Sequence, residues 1–155
     1  LVRQIPGPQV SLLLTKRLSL SSETDEVEVA YRLENLSEHT LKAFFAISFN
    51  FTVLGPGDSL VGLAFPDGRT VSLASGAIYP PTGEITVFNR RDHVDLKLVF
   101  SPEPARLVQY PVETISQSES GIDRTYQATC LMPVWPLELK GRSGMGLRLI
   151  LSTDS

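Results

Sequence analysis

At 155 residues the chain can bury one sizeable core and is too short for two. Hydrophobic residues make up 42% and charged residues 20%, which excludes a disordered chain. A net charge of −3, with neither an Arg/Lys stripe nor a basic tail, argues against nucleic acid or an anionic membrane as partner.

Period-two alternation runs through most of the chain. Val10, Leu12 and Leu14, then Leu18 and Leu20, hold even positions. From Val27 the apolar side switches to odd positions with Val29, Tyr31 and Leu33, while Glu26, Glu28, Arg32 and Glu34 take the other side. Phe44 to Leu54 is denser in apolar residues and reads as a central strand covered on both faces. Val94, Leu96, Leu98 and Phe100 alternate again, as do Leu147, Leu149 and Leu151. Such alternation places one face in a core and one in water, the mark of antiparallel sheets.

Turn chemistry falls between these runs: Ser21 to Asp25, Asn35 to His39, Gly55 to Asp58, Pro66-Asp67-Gly68, Tyr79 to Gly83, Ser101 to Pro104 and Lys140 to Gly144. Asp67-Gly68 is the strongest tight-turn signal, because that pair tolerates positive φ. No segment carries a capped helical period. The reading is an all-β chain of about ten strands forming a single antiparallel β-sandwich over residues 1–155.

No window reaches the roughly 18 apolar residues of a membrane helix; the most apolar, Leu41 to Leu54, is interrupted by Lys42, Ser48, Asn50 and Thr52. Cys130 is the only cysteine, so no internal disulfide forms and a cytoplasmic, reducing setting is expected. No charged-then-apolar leader opens the sequence, and the start at Leu1 reads as a piece of something longer.

Candidate chemistry is sparse. Asp92, His93 and Asp95 offer metal-binding atoms, but Lys97 shares their strand face and opposes a cation, so a solvated face is the preferred reading. No Gly-x-Ser-x-Gly elbow supports a Ser-His-Asp triad. Cys130, among Ala128, Leu131 and Met132, reads as a buried small hydrophobe. Gly55-Pro-Gly-Asp58 has a proline where a phosphate cradle needs an N–H. The sequons Asn35-Leu-Ser37 and Asn50-Phe-Thr52 are taken as accidental. Glu113 and Glu119 are the one carboxylate pair weighed for glycosidase chemistry, with hydrogen bonding or an Arg124 salt bridge as Glu119's commoner fate.

The most informative stretch runs from Tyr110 to Leu137. It reads as a polar loop breaking the strands, holding Glu113, Gln117, Ser118, Glu119, Asp123 and Arg124 and flanked by the rings of Tyr110, Tyr126 and Trp135. Polar side chains beside flat apolar rings suit a sugar, whose edge is polar and whose ring faces are apolar. Pro133 and Pro136 place Trp135 at an edge or bulge, where plugging the core is preferred to stacking on sugar.

Pro111, Thr114, Ser116-Gln-Ser-Glu119, Gly121, Tyr126-Gln127 and Trp135-Pro-Leu137, with Val29 to Leu33 and Phe49-Asn-Phe51 earlier, resemble the C-terminal β-sandwich domain of the family-57 glycoside hydrolases, the α-amylase/4-α-glucanotransferase group. The likeness runs from about Leu14 to Leu151, and its most specific part is Ser-Gln-Ser-Glu. It implies a large sandwich of the galactose-mutarotase type. It also implies a parent that cleaves and transfers α-1,4-glucan by a retaining mechanism, with both catalytic carboxylates in an N-terminal barrel.

No residue of this chain matches either carboxylate, so no catalytic residue, metal or cofactor is expected here. The resemblance instead implies a non-catalytic accessory domain. Its partner would be the parent's catalytic barrel, with α-glucan as a candidate ligand. Tyr110, Glu113, Gln117, Ser118, Glu119, Arg124, Tyr126, Gln127 and Trp135 would supply carbohydrate or interdomain contacts. The alternatives are a purely structural module without sugar affinity and, more remotely, a glycosidase using Glu113 and Glu119.

Overall fold

The computed structural model describes residues 2–6, 11–118 and 121–154, and among these it contains strands and no helix. The strands are β1 (Val2–Pro6), β2 (Ser11–Leu20), β3 (Glu26–Asn35), β4 (Leu41–Ala46), β5 (Phe49–Phe51), β6 (Val61–Ala64), β7 (Thr70–Ser72), β8 (Ala77–Tyr79), β9 (Glu84–Asn89), β10 (Val94–Ser101), β11 (Arg106–Ser118), β12 (Gly121–Leu139) and β13 (Gly144–Asp154). They form an eight-stranded sheet in the order β1-β2-β3-β13-β10-β9-β6-β7 and a five-stranded sheet ordered β4-β12-β11-β8, with β5 also paired to β12. Neighbouring strands are antiparallel throughout, as the alternation predicts.

The two sheets face each other across one apolar layer. From the larger sheet come Val29, Tyr31 and Leu33 of β3, Leu147 and Leu149 of β13, and Leu98 and Phe100 of β10. Leu107, Leu131, Trp135, Leu137 and Leu139 meet them from the smaller one. Rings bridge the layers: Tyr31 packs edge-on against Phe45 at 5.4 Å, and Phe100 against Trp135 at 6.1 Å. Each such fully buried side chain contributes about 1.5–3 kcal/mol. Cys130 is buried, as its apolar neighbours predict.

Several turns follow their sequence chemistry. At Asp67-Gly68 the glycine takes φ +86°, Phe65 N–H donates to the Arg69 carbonyl at 2.9 Å, and Asp67 Oδ1 accepts from Arg69 N–H at 3.0 Å. Those Arg69 contacts, the backbone N–H foremost and then the guanidinium, hold the Asp67 carboxyl below its ordinary range. The turn after β3 is locked by Asn35, whose buried amide donates to the carbonyls of His39, Leu139 and Lys140 while its oxygen accepts from Ser37. A side chain so enclosed cannot take a glycan in the folded chain, in keeping with an accidental sequon.

Three expectations are corrected. Phe44 to Leu54 is no central strand: β4 and β5 pair only with β12 at the sheet's margin, and Phe44, Ala46, Ser48 and Asn50 face outward. Asp92 and His93 lie in the turn before β10, where Asn89 Nδ2 donates to Asp92 and His93 has φ 53°. No group of metal-binding side chains occurs among the described residues. The supposed polar loop after Tyr110 is the end of β11 and the start of β12, a long hairpin.

Candidate interface: an apolar sheet face and a projecting ribbon

The hairpin projects because its neighbours stop early. β8 pairs with β11 only at Leu107–Gln109, and β5 pairs with β12 only at Thr129–Leu131. Beyond them, Glu113 to Ser118 and Gly121 to Tyr126 form a two-stranded ribbon. A bulge between Val112 and Glu113 leaves Gln127 without a cross-strand partner. The Gln127 amide instead donates to Thr114 Oγ1 at 3.2 Å.

Alternation sorts the ribbon into two faces. One carries Glu113, Ile115 and Gln117 opposite Tyr126, Arg124 and Ile122; the other carries Thr114 and Ser116 opposite Thr125 and Asp123. Ile115 and Ile122, diagonal neighbours on the first face, are 65% and 73% exposed. Arg124 reaches across to Glu113 at 3.3 Å. Glu119 lies outside the described residues, and Ser118 is placed only as a backbone partner of Gly121.

The aromatic residues named with this stretch divide. Tyr126 turns its hydroxyl inward to Thr129 Oγ1 at 2.7 Å, and Thr129 donates to the Leu73 carbonyl at 2.7 Å. Trp135 is 2% exposed and donates its indole N–H to the Pro102 carbonyl at 2.8 Å. It plugs the core, and a buried ring cannot contact sugar or another domain; this corrects its inclusion among contact residues. Pro136 is tolerated because β11 pairing ends at Val134, leaving β12 with only β4 beyond that point, and Pro133 falls in the gap between the β5 pairing, which ends at Leu131, and the β4 pairing, which begins at Val134.

Tyr110 points the other way, onto the outer face of the five-stranded sheet. It lies directly opposite Cys130, and its interaction with that thiol raises the Tyr110 pKa above its ordinary value; the thiol itself is hydrogen-bonded to Ser48 Oγ at 3.1 Å. Around Tyr110 that face is largely apolar, broken by Ser48 and Asn50 beside Cys130 and by Arg106. Phe44 and Ile78 are each 67% exposed, Tyr110 is 42% exposed, and Val112 and Pro136 are exposed beside half-buried Val108 and Met132. Arg106 lays its guanidinium over Phe44, and the Lys42–Glu138 pair marks one margin.

The contrast with the opposite side of the sandwich is sharp. There the outer face of the larger sheet carries ion pairs between Arg148 and Glu28 at 2.7 Å, Lys97 and Glu84 at 2.9 Å, and Arg32 and Glu34 at 3.1 Å. An antiparallel sheet facing water ordinarily shows this second pattern. The outer face of the smaller sheet departs from it, with apolar side chains in solvent and, of the ion pairs, only Lys42–Glu138 at its margin among the described residues. Alternation in the sequence reveals both faces of β4, β11 and β12, but the outward apolar residues look like core until the layers are assembled.

The fold recurs in carbohydrate-active proteins. A galactose mutarotase related enzyme from Lactobacillus acidophilus superposes with a TM-score of 0.57 at 11% identity, over 99% of this chain and 71% of that one. The 4-alpha-glucanotransferase from Thermococcus litoralis superposes with a TM-score of 0.60 at 15% identity, over 97% of this chain and 22% of that one. These likenesses define a galactose-mutarotase-like sandwich. The sequence goes further: residues 4–149 match the family model for the C-terminal part of alpha-amylase/4-alpha-glucanotransferase, and the chain belongs to that family. Alpha-amylase 1 of Dictyoglomus thermophilum is 29% identical over 126 residues, covering 81% of this chain and 18% of that protein. The chain thus spans about a fifth of the length of the alpha-amylase and of the 4-alpha-glucanotransferase that it matches.

Proposed function

We propose that this domain is the non-catalytic accessory module of an α-1,4-glucan-processing amylase or glucanotransferase of the family-57 kind. It packs on the parent's catalytic domain through the apolar outer face of its five-stranded sheet. The observation that carries this reading is the face itself, where Phe44, Ile78 and Tyr110 stand in solvent on a sheet whose counterpart across the sandwich is covered in ion pairs. Burying such a face gains about 25 cal/mol per Å2 of apolar area, before the costs of association are subtracted.

The ribbon runs on from this sheet, with Gln127 and Thr114 on the side continuous with the apolar face and at its rim; Glu113, Gln117, Arg124 and Tyr126 lie on the ribbon's other side, where they supply polar contacts to a partner that wraps around it. Enclosure of Trp135 favours docking over sugar stacking, because the largest ring is withdrawn from the surface. A single free, buried cysteine accords with a reducing compartment.

The test is association in trans. The 155-residue chain is mixed with the catalytic portion of a family member and followed by sedimentation. A complex with the unaltered chain, lost in the Phe44→Ser/Ile78→Glu double variant, supports the proposal. Equal association by both chains, or by neither, overturns it.

A further inference from the structure

A second surface, separate from the outer face, carries its own reading. Among the described residues β11 has β12 on one side from Tyr110 to Ser118 and no strand on the other. An open edge of this kind accepts another strand unless charge, proline or a bulge blocks it. Here Pro111 and the bulge at Val112/Glu113 guard only the near end. Past them the edge reads Glu-Thr-Ile-Ser-Gln, without Lys or Arg, and its one charge is already met by Arg124.

We propose that two copies of this chain pair through these edges, β11 against β11, around a two-fold axis at Ile115. The argument is one of self-complementarity. A two-fold normal to the ribbon keeps the same face upward in both copies, so only residues of like parity oppose each other. Centred on Ile115, the register sets Glu113 against Gln117 of the partner subunit, whose amide donates to the carboxylate. Thr114 meets Ser116 of the partner subunit, and Ile115 meets the partner's Ile115. Shifting the centre to Thr114 puts the Glu113 carboxylate against the partner's Ile115; shifting it to Ser116 sets Ile115 against the partner's Gln117. Only the Ile115 centre matches polar with polar and apolar with apolar, and it covers a side chain that is 65% exposed in the single chain. The two ribbons then form one continuous four-stranded sheet, β12-β11-β11-β12.

Sedimentation equilibrium of the 155-residue chain tests this. The unaltered chain is expected to dimerise. Gln117→Glu, which sets two carboxylate pairs face to face, weakens the dimer roughly tenfold. Gln117→Lys, which sets an ammonium against each Glu113, preserves it. Ile115→Lys yields monomer with an unchanged melting temperature, because the ribbon lies off the core. A monomeric unaltered chain overturns the proposal, as does equal weakening by both Gln117 variants. So does loss of the dimer in the outer-face variant Phe44→Ser/Ile78→Glu, which would move the self-contact to that face.

Discussion

Tyr79 donates its hydroxyl to Gln109 Oε1 at 2.8 Å inside the smaller sheet, joining β8 to β11 through side chains as well as backbone. The same Gln109 donates its amide to the carbonyls of Ser72 and Ser75 at 2.7 and 2.8 Å, fastening the loop after β7. A buried glutamine that meets three partners ties β8, β11 and the end of β7 together. Replacing it by Leu takes the amide donor from both carbonyls and the acceptor from the Tyr79 hydroxyl, although the Ser72 carbonyl keeps the Ser75 hydroxyl. A loss of about 2–4 kcal/mol is expected, or roughly 5–12 °C in melting temperature, measured by calorimetry.

Tyr79 also sets a limit at high pH. Burial raises its pKa above the ordinary 10.0, against a smaller lowering by Arg69. The unfolded chain therefore releases this proton at a lower pH than the folded one. The associated stability is complete below pH 10 and is lost as pH rises through the folded value. Urea unfolding of Tyr79→Phe between about pH 9 and 11 should show a shallower decline than the unaltered chain.

Gly62 on β6 has no room for a side chain. A Cβ there would lie 2.6 Å from the Val71 carbonyl oxygen and 2.7 Å from the Phe88 ring. Gly62→Ala should cost about 1–3 kcal/mol by overpacking. Gly68→Ala, in open space but at φ +86°, should cost only about 1–2 kcal/mol through backbone strain. Chemical denaturation of the pair separates crowding from strain.

Enclosure of Trp135 makes fluorescence informative. Its emission should lie at short wavelength, resist quenching by acrylamide and stay unchanged at millimolar maltooligosaccharide. Trp135→Phe keeps the apolar packing but orphans the Pro102 carbonyl, for a loss of about 1–3 kcal/mol.

Asn35→Leu strips partners from the carbonyls of Leu139 and Lys140 and from Ser37. Equilibrium unfolding should show about 2–4 kcal/mol of lost stability.

The strands over the core were legible because their alternation is strict. Val29, Tyr31 and Leu33 point inward, as do Leu98, Phe100, Leu147 and Leu149. The ribbon was read as a loop for the opposite reason. Beyond the sandwich no face of Glu113 to Gln117 is buried, so polar residues occupy both sides and the period of two is hidden. Phe44 misled in the other direction, since an apolar side chain facing outward looks like one covered from both sides. Asp92 and His93 alternate plausibly with Val94, yet the side chain of Asn89 folds that segment into a turn. Gln109 is not legible in the sequence, because a glutamine at an inward strand position gives no signal until Ser72 of β7, Ser75 and Tyr79 of β8 close around it.

Association between this chain and the catalytic portion of a family enzyme is the measurement closest to the central claim. The unaltered chain and Ile115→Lys should both bind, and Phe44→Ser/Ile78→Glu should not, although its melting temperature is unchanged. Failure of the unaltered chain to bind, or full binding by the double variant, would contradict the assignment of the outer sheet face as the docking surface.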